Sequence, residues 1–322
     1  MLTVYIDHKA TRLKVDNQRL GIEGDTRLHR SIPLRQIERI VIGAPLDIPS
    51  SALLQLVEHG ISLTVIHAHK PEHCAILTGM LHNDAWRRQT QYKIVHNAEL
   101  CAMYAHRLVR GKLKGQRRML RHLMHVRQDQ RSVLLEGIRR MDAVLLHLAE
   151  DELIQKDVDR MRGIEGAGAS AYFAAFTQVF PPALSFTGRN RRPPRDPVNA
   201  VLSLSYTLAY SEAQRMLISV GLDPALGFFH TLDYGRPSLA CDLVELIRPA
   251  VDHFVWDLFR NETLRPEHFT SNEQGCMMGK AGRSHFYAAW SSILPEILKR
   301  TRRITRLWIE ELRKQEDVIN HE

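Results

Sequence analysis

The spacing of hydrophobic residues changes near residue 85, and no other feature of the chain constrains its fold as much. Before that point, the short runs "LTVYID", "RLKVD", "RLGIEG", "SIPL" and "ERIVIG" carry β-branched residues between turn-forming Asp-Asn and Gly-Asp pairs. A helical stretch, "SSALLQLVEHG", then leads to the strand "SLTVI". Afterwards nearly everything has helical period. "AWRRQTQYKIVHNAELCAMYAHRLVRGKL" and "QRSVLLEGIRRMDAVLLHLAEDELIQKDVDRM" read as long amphipathic helices, and no strand pattern returns. The expected fold class is α+β: a small N-terminal β-strand domain with its linker over 1–82, and a larger all-α domain over 83–322.

Within the helical part, "HTLDYGRPSLACDLVELIRP" (residues 230–249) poses a chemical question. Ser238 reads as a helix cap, and Leu239, Leu243, Leu246 and Ile247 form an apolar stripe. Asp242 and Glu245 border that stripe. Being three apart they project from one side of the helix, close enough to share a ligand, although a solvated edge has the same pattern. A third acid, Glu165, lies in "MRGIEGAGASAYFAAF", where small residues allow a backbone or ligand to approach closely and favour a tight helix start. The glycine spacing there is not GxGxxG and no strand precedes it, which excludes a dinucleotide site. Glu165, His230 and Glu245 together would form an oxygen-and-imidazole set suited to Mg²⁺ or Mn²⁺.

Other clusters compete for a role. His67, His69, His73 and Cys74 have zinc-ligand chemistry without paired spacing and read as a polar linker. His122 and His125, one turn apart on a basic helix, read as DNA-facing or solvated. The chain has no HExxH, GxSxG or GxxxxGK[ST]. Its four cysteines form no CxxC pair, as suits reduced thiols. Asp7, His8 and Lys9 interrupt what a signal peptide would keep apolar, and no run of 18 apolar residues exists, so the expected location is the cytoplasm, with no membrane partner.

The net charge of +8 is unevenly spread. From Arg107 to Arg127 there are eight Lys or Arg and no acid, Arg117 and Arg118 among them. "GRNRRPPR" puts Arg189, Arg191, Arg192 and Arg195 in a proline-rich loop, and Lys299, Arg300, Arg302, Arg303 and Arg306 form a third cluster. Three such clusters point to a polyanion, double-stranded DNA before a membrane surface. A capping Asp196 followed by Pro197 then opens a mostly apolar helix.

Four blocks in order, "RGIEGAGASAYF", "FTGRNRRPPRDPVNAVLSLSYTLAYSEA", "GFFHTLDYGRPSLACDLVELIRP" and "GKAGRSHFYAAW", closely resemble the CRISPR-associated endonuclease-integrase family Cas1. The resemblance implies an N-terminal β domain that dimerises, a helical catalytic domain, a homodimer assembled with Cas2, and hydrolase-class chemistry on phosphodiesters. It implies insertion of foreign DNA fragments as new spacers in a CRISPR array, by attack of a 3′-hydroxyl. It places the family's metal triad on Glu165, His230 and Glu245, a neighbouring acid on Asp242 that either binds metal or orients a ligand, and positions near the site on Tyr172 and Asn199. Cys241 and Ile247 depart from the residues usual in the family and read as packing changes. A stand-alone structure-specific repair nuclease and a non-catalytic DNA-binding scaffold are the alternative readings.

Overall fold

The computed structural model describes residues 2–7, 12–23, 31–66, 74–79, 82–190, 193–231 and 236–319. The chain divides into two compact units, Met1–Asn83 and Asp84–Glu322.

The first unit holds strands β1 (Leu2–Ile6), β2 (Arg12–Asp16), β3 (Arg19–Glu23), β4 (Ile32–Pro33) and β5 (Ile37–Ile42), helix α1 (Ser50–Glu58), and strands β6 (Ser62–Val65) and β7 (Ala75–Leu77). One sheet has the order β1-β5-β6-β7 and the other β2-β3-β4. β5 and β6 run parallel, which requires a crossover, and α1 supplies it. β2 and β3 form a hairpin whose two turn residues, Asn17 and Gln18, have φ of 48° and 56°, the left-handed pair that matches strand twist. Alternate strand residues (Ile6, Leu13, Leu20, Ile40) point inward with Leu34 and Leu56 to make this unit's core.

The second unit is helical: α2 (Ala85–His96), α3 (Ala98–Val126), α4 (Arg131–Glu150), α5 (Glu152–Lys156), α6 (Val158–Phe176), α7 (Pro197–Ser219), α8 (Ser238–Arg260) and α9 (Lys280–Ile319). It also contains a hairpin of β8 (Phe269–Asn272) and β9 (Gly275–Met278), so it is not all-α. The strands are four residues each, too short for a pattern to emerge. Their turn depends on Gly275 at φ 115°, and Cys276 N donates to Pro194 O at 2.7 Å, so the hairpin leans on the proline-rich loop.

The two long helical stretches of the sequence are each broken by short polar side chains that compete for backbone N–H groups. Asn97 separates α2 from α3, its Oδ1 accepting from Leu100 N at 3.0 Å. Asp151 and Asp157 set the ends around α5, Asp157 Oδ1 accepting from Asp159 N at 2.9 Å. Asp196 caps α7 as expected, accepting from Asn199 N at 2.8 Å with Pro197 first in the helix. Ser238 does not cap α8: it is the first helical residue, and its hydroxyl donates to Thr231 O at 2.8 Å.

Three helices position the site. α3 packs against α8 in parallel register, where a Cβ on Gly111 would meet Leu246 Cδ2 at 2.8 Å and one on Gly115 would meet Pro249 Cγ at 2.9 Å. A Cβ on Gly168 would run into Leu113, so the small residues of α6 let α3 approach on its other side. α3 therefore lies between α6 and α8.

Candidate active site on helices α3, α6 and α8

Asp242 is fully buried on α8, not at its edge. Its Oδ2 accepts from the backbone N–H of Phe228 at 2.7 Å and of Phe229 at 3.1 Å, and its Oδ1 from that of His230 at 3.1 Å. Gly227 makes this fold of the chain possible, since a Cβ there would lie 2.8 Å from His230 O and 2.9 Å from Ser238 C. The His230 ring adds a fourth contact, Nδ1 to Asp242 Oδ1 at 2.6 Å. A carboxylate only accepts, so Nδ1 carries the proton in this contact, and Nε2 is the ring nitrogen that Asp242 does not engage. Asp242 is thus committed to holding His230.

Glu165 and Glu245 meet at a residue that the sequence reading did not single out. Lys112, on α3 and 6% exposed, donates to Glu165 Oε1 and forms an ion pair with Glu245 Oε2. Glu165 lies well inside α6, seven residues beyond its start at Val158, so it is not at a helix start. Arg248 Nε is 2.9 Å from Glu245 Oε1, and its guanidinium lies 4.5 Å from the Tyr206 ring centroid. Burial works to raise the Glu245 carboxyl, but Arg248, followed by Lys112 and His230, outweighs it and holds the group at about 2. Burial works to lower Arg248, and Glu245 leads the groups that raise it instead.

Tyr172 and Asn199 join the site through this arginine. Tyr172 OH donates to Asp252 Oδ2 at 2.9 Å, and Tyr206 OH donates to Asp252 Oδ1. Asn199 Oδ1 accepts from Arg189 Nη1 at 2.7 Å and from Asn190 N at 3.0 Å, and its Nδ2 donates to Gly188 O at 2.8 Å. Asn199 therefore fastens the loop before α7, and Arg189, which also donates to Ser203 Oγ at 3.1 Å, stacks 5.5 Å from the same Tyr206 ring.

The basic residues have unequal surroundings. Arg195 and Arg118 are exposed, whereas Arg117 pairs with Asp142 of α4 and Arg107 pairs with Glu311 of α9 at 3.0 Å. The long basic run is thus partly neutralised by acids from other helices. Arg191 and Arg192 lie outside the described residues, as do His67, His69 and His73.

The donor set fits a hard divalent cation. It comprises two buried or half-buried carboxylates converging on one cationic nitrogen, and an imidazole with its second nitrogen free of Asp242. Among the described residues no three His, Cys, Asp or Glu side chains already enclose a common point, and Lys112 is what Glu165 and Glu245 share. No helix of the described residues is long and apolar enough to cross a membrane.

Comparison with known proteins agrees with this architecture. The family model described as CRISPR associated protein Cas1 matches residues 4–292. The CRISPR-associated endonuclease Cas1 1 of Thermodesulfovibrio yellowstonii is 38% identical over 290 residues, covering 89% of this chain and 89% of that protein. A casposase bound to integration product shares the fold with a TM-score of 0.76 at 19% identity, over 91% of this chain and 82% of that one. A Cas6-RT-Cas1–Cas2 complex contains a chain that matches with a TM-score of 0.79 at 19% identity, over 98% of this chain and 35% of that one. Matched over most of its length by the family model and by a relative at 38% identity, the chain belongs to the CRISPR associated protein Cas1 family.

Proposed function

We propose that this protein is a metal-dependent DNA endonuclease and integrase of CRISPR adaptation, which joins foreign DNA fragments into a CRISPR array as new spacers. The observation that carries this reading is the meeting of Glu165 and Glu245 at one cation, with His230 near enough to act on Glu245 and held by Asp242. Kinship supports it: a 38% identical relative is named an endonuclease, and the structural neighbours include a casposase bound to integration product and a complex containing Cas2. The partners in this reading are double-stranded DNA, Cas2 and a second copy of the chain. The dimer would form through the first unit, where β1 is an edge strand with Leu2 exposed.

In the reaction, the 3′-hydroxyl oxygen of the fragment bonds to a phosphorus of the array while the bond to the departing oxygen breaks. In hydrolysis, water takes the place of the hydroxyl. Bound Mg²⁺ or Mn²⁺ supplies Lewis-acid stabilisation of the charge that develops on the phosphoryl oxygens. Glu165, Glu245 and His230 Nε2 would hold the ion. Asp242 keeps the imidazole aimed and its Nδ1 protonated, a supporting role whose loss typically costs about 10 to 100-fold. Arg195, Arg118 and the arginines of the same loop contact phosphates, which positions DNA without reading its sequence.

The test separates chemistry from binding. Glu245→Gln and His230→Ala should abolish Mn²⁺-dependent joining of a labelled fragment while leaving DNA affinity without metal nearly unchanged. Full joining activity in Glu245→Gln would overturn the reading.

A further inference from the structure

Lys112 occupies a position that its helix periodicity reserves for an apolar side chain. Leu108, Val109, Leu113, Met119, Leu120 and Leu123 are all buried along the same face of α3, and Lys112 is buried among them with its ammonium between the two glutamates. Burying a lysine is unfavourable unless its charge is matched, and the same holds for two carboxylates close enough to share one nitrogen. Each half of the cluster therefore requires the other. Removing Lys112 would leave Glu165 and Glu245 facing each other, with Arg248 on Glu245 Oε1 and no counter-charge toward Oε2 among the pairs described.

The two cations at Glu245 differ in freedom. Arg248 is a planar group stacked on Tyr206 and bound to Oε1, so it is fixed in place. Lys112 carries a compact charge on a four-carbon stem, which swings away without disturbing the helix that bears it. It meets the oxygens of Glu165 and Glu245 that face each other, the ones a divalent ion would take.

We propose that Lys112 is the exchangeable counter-cation of this site: its ammonium holds Glu165 and Glu245 in place in the metal-free protein and withdraws when a divalent cation takes their oxygens. This inference rests on the metal-dependent reading above. Lys112 is a positioning residue in this account, because it acts through the two glutamates. The site stays assembled before the metal arrives, and the metal binds more weakly than the carboxylates alone would allow, because each binding event displaces a charge already there.

The experiment is a Mn²⁺ titration of the full-length protein, followed by the electron paramagnetic resonance of free Mn²⁺, together with thermal melting in chelator and in saturating Mn²⁺. Wild type, Lys112→Met and Glu245→Gln are compared. Nearby charges move the equilibria of ionisable groups by about one to three decades, so Lys112→Met should bind Mn²⁺ about tenfold more tightly or better. The same variant should melt below wild type in chelator and gain more than wild type from saturating Mn²⁺. Should Lys112→Met fail to fold, Lys112→Gln keeps the length and polarity, drops the charge, and carries the same expectation. Binding no tighter than wild type, while Glu245→Gln loses the ion, would overturn the exchange and leave the metal site standing. If wild type binds no Mn²⁺ that Glu245→Gln removes, the metal-dependent reading itself fails and takes the exchange with it.

Discussion

Glu245 and Asp252 lie one heptad apart on α8, both buried, and Glu165 and Tyr172 repeat that spacing on α6. The helix pair thus carries two tiers about 10 Å apart along its axis. In the upper tier, Lys112 joins Glu165 and Glu245; in the lower, Tyr172 donates to Asp252. The two buried carboxyls have moved in opposite directions. Burial works to raise both, but at Glu245 the cations prevail and the group sits at about 2. At Asp252 burial prevails over the hydrogen bonds from Tyr206 and Tyr172 and over the charge of Arg248, and the group is pushed up to about 6. The tyrosines are pushed well above their ordinary range, by burial first and then by Asp252, so they remain neutral donors. Neutral donors stabilise a carboxylate less than paired cations do. The comparison teaches that burial alone does not set the charge of an acid; what distinguishes the upper tier is that cations, and not neutral hydroxyls, face its carboxylates.

The largest expected effect is on joining. Glu245→Gln should lose about 10³-fold or more, the scale of removing a group that stabilises developing charge, whereas Asp252→Asn keeps the shape of its tier and should stay within about tenfold. Equal losses in a fragment-joining assay would break the distinction between tiers. Stability comes next. Asp252→Ala leaves two buried hydroxyls without their acceptor, at about 1–3 kcal/mol each in urea unfolding. That loss should be the same with and without Mn²⁺, while Mn²⁺ should stabilise wild type and not Glu245→Gln.

A smaller effect concerns pH. Asp252 binds its proton more tightly in the folded protein, at about 6 against an ordinary value of 3.8. Its protonated form therefore favours folding below about pH 4, and that contribution declines as pH rises through about 6 and is flat above. Asp252→Asn removes this slope, so the difference in unfolding free energy between variant and wild type should move in the variant's favour by up to about 3 kcal/mol between pH 4 and 7. No such movement would mean the carboxyl is ionised throughout. The smallest effect belongs outside both tiers: Arg195→Ala should weaken DNA binding a few-fold and lower the salt dependence by about one phosphate contact. Unfolding of that variant should match wild type.

The sequence was informative wherever one helix or hairpin determined the outcome. The β2–β3 turn, the crossover helix α1 and the capped start of α7 all follow from local pattern. It failed where partners came from distant segments. Asp142 and Glu311 sit far from the basic run they neutralise, and Asp252 shows no function until Tyr172 and Tyr206 arrive from two other helices. Lys112 was legible in principle, because a lysine on the apolar stripe of an amphipathic helix announces a buried partner; counting it among the surface charges of a basic run concealed it. The β8–β9 hairpin had no comparable signal, since its short strands depend on the loop against which they lean.

Pro249 falls between the two tiers of α8. Having no N–H, it leaves the carbonyl of Glu245 without its helical donor four residues on, and this missing rung lies at the seam between Glu245 and Asp252. A helix with such a seam bends there more readily than elsewhere. The upper half of α8 is therefore tied to the rest of the helix by one backbone hydrogen bond fewer, while in the lower half Tyr172 and Tyr206 hold Asp252 like the fixed jaw of a vice.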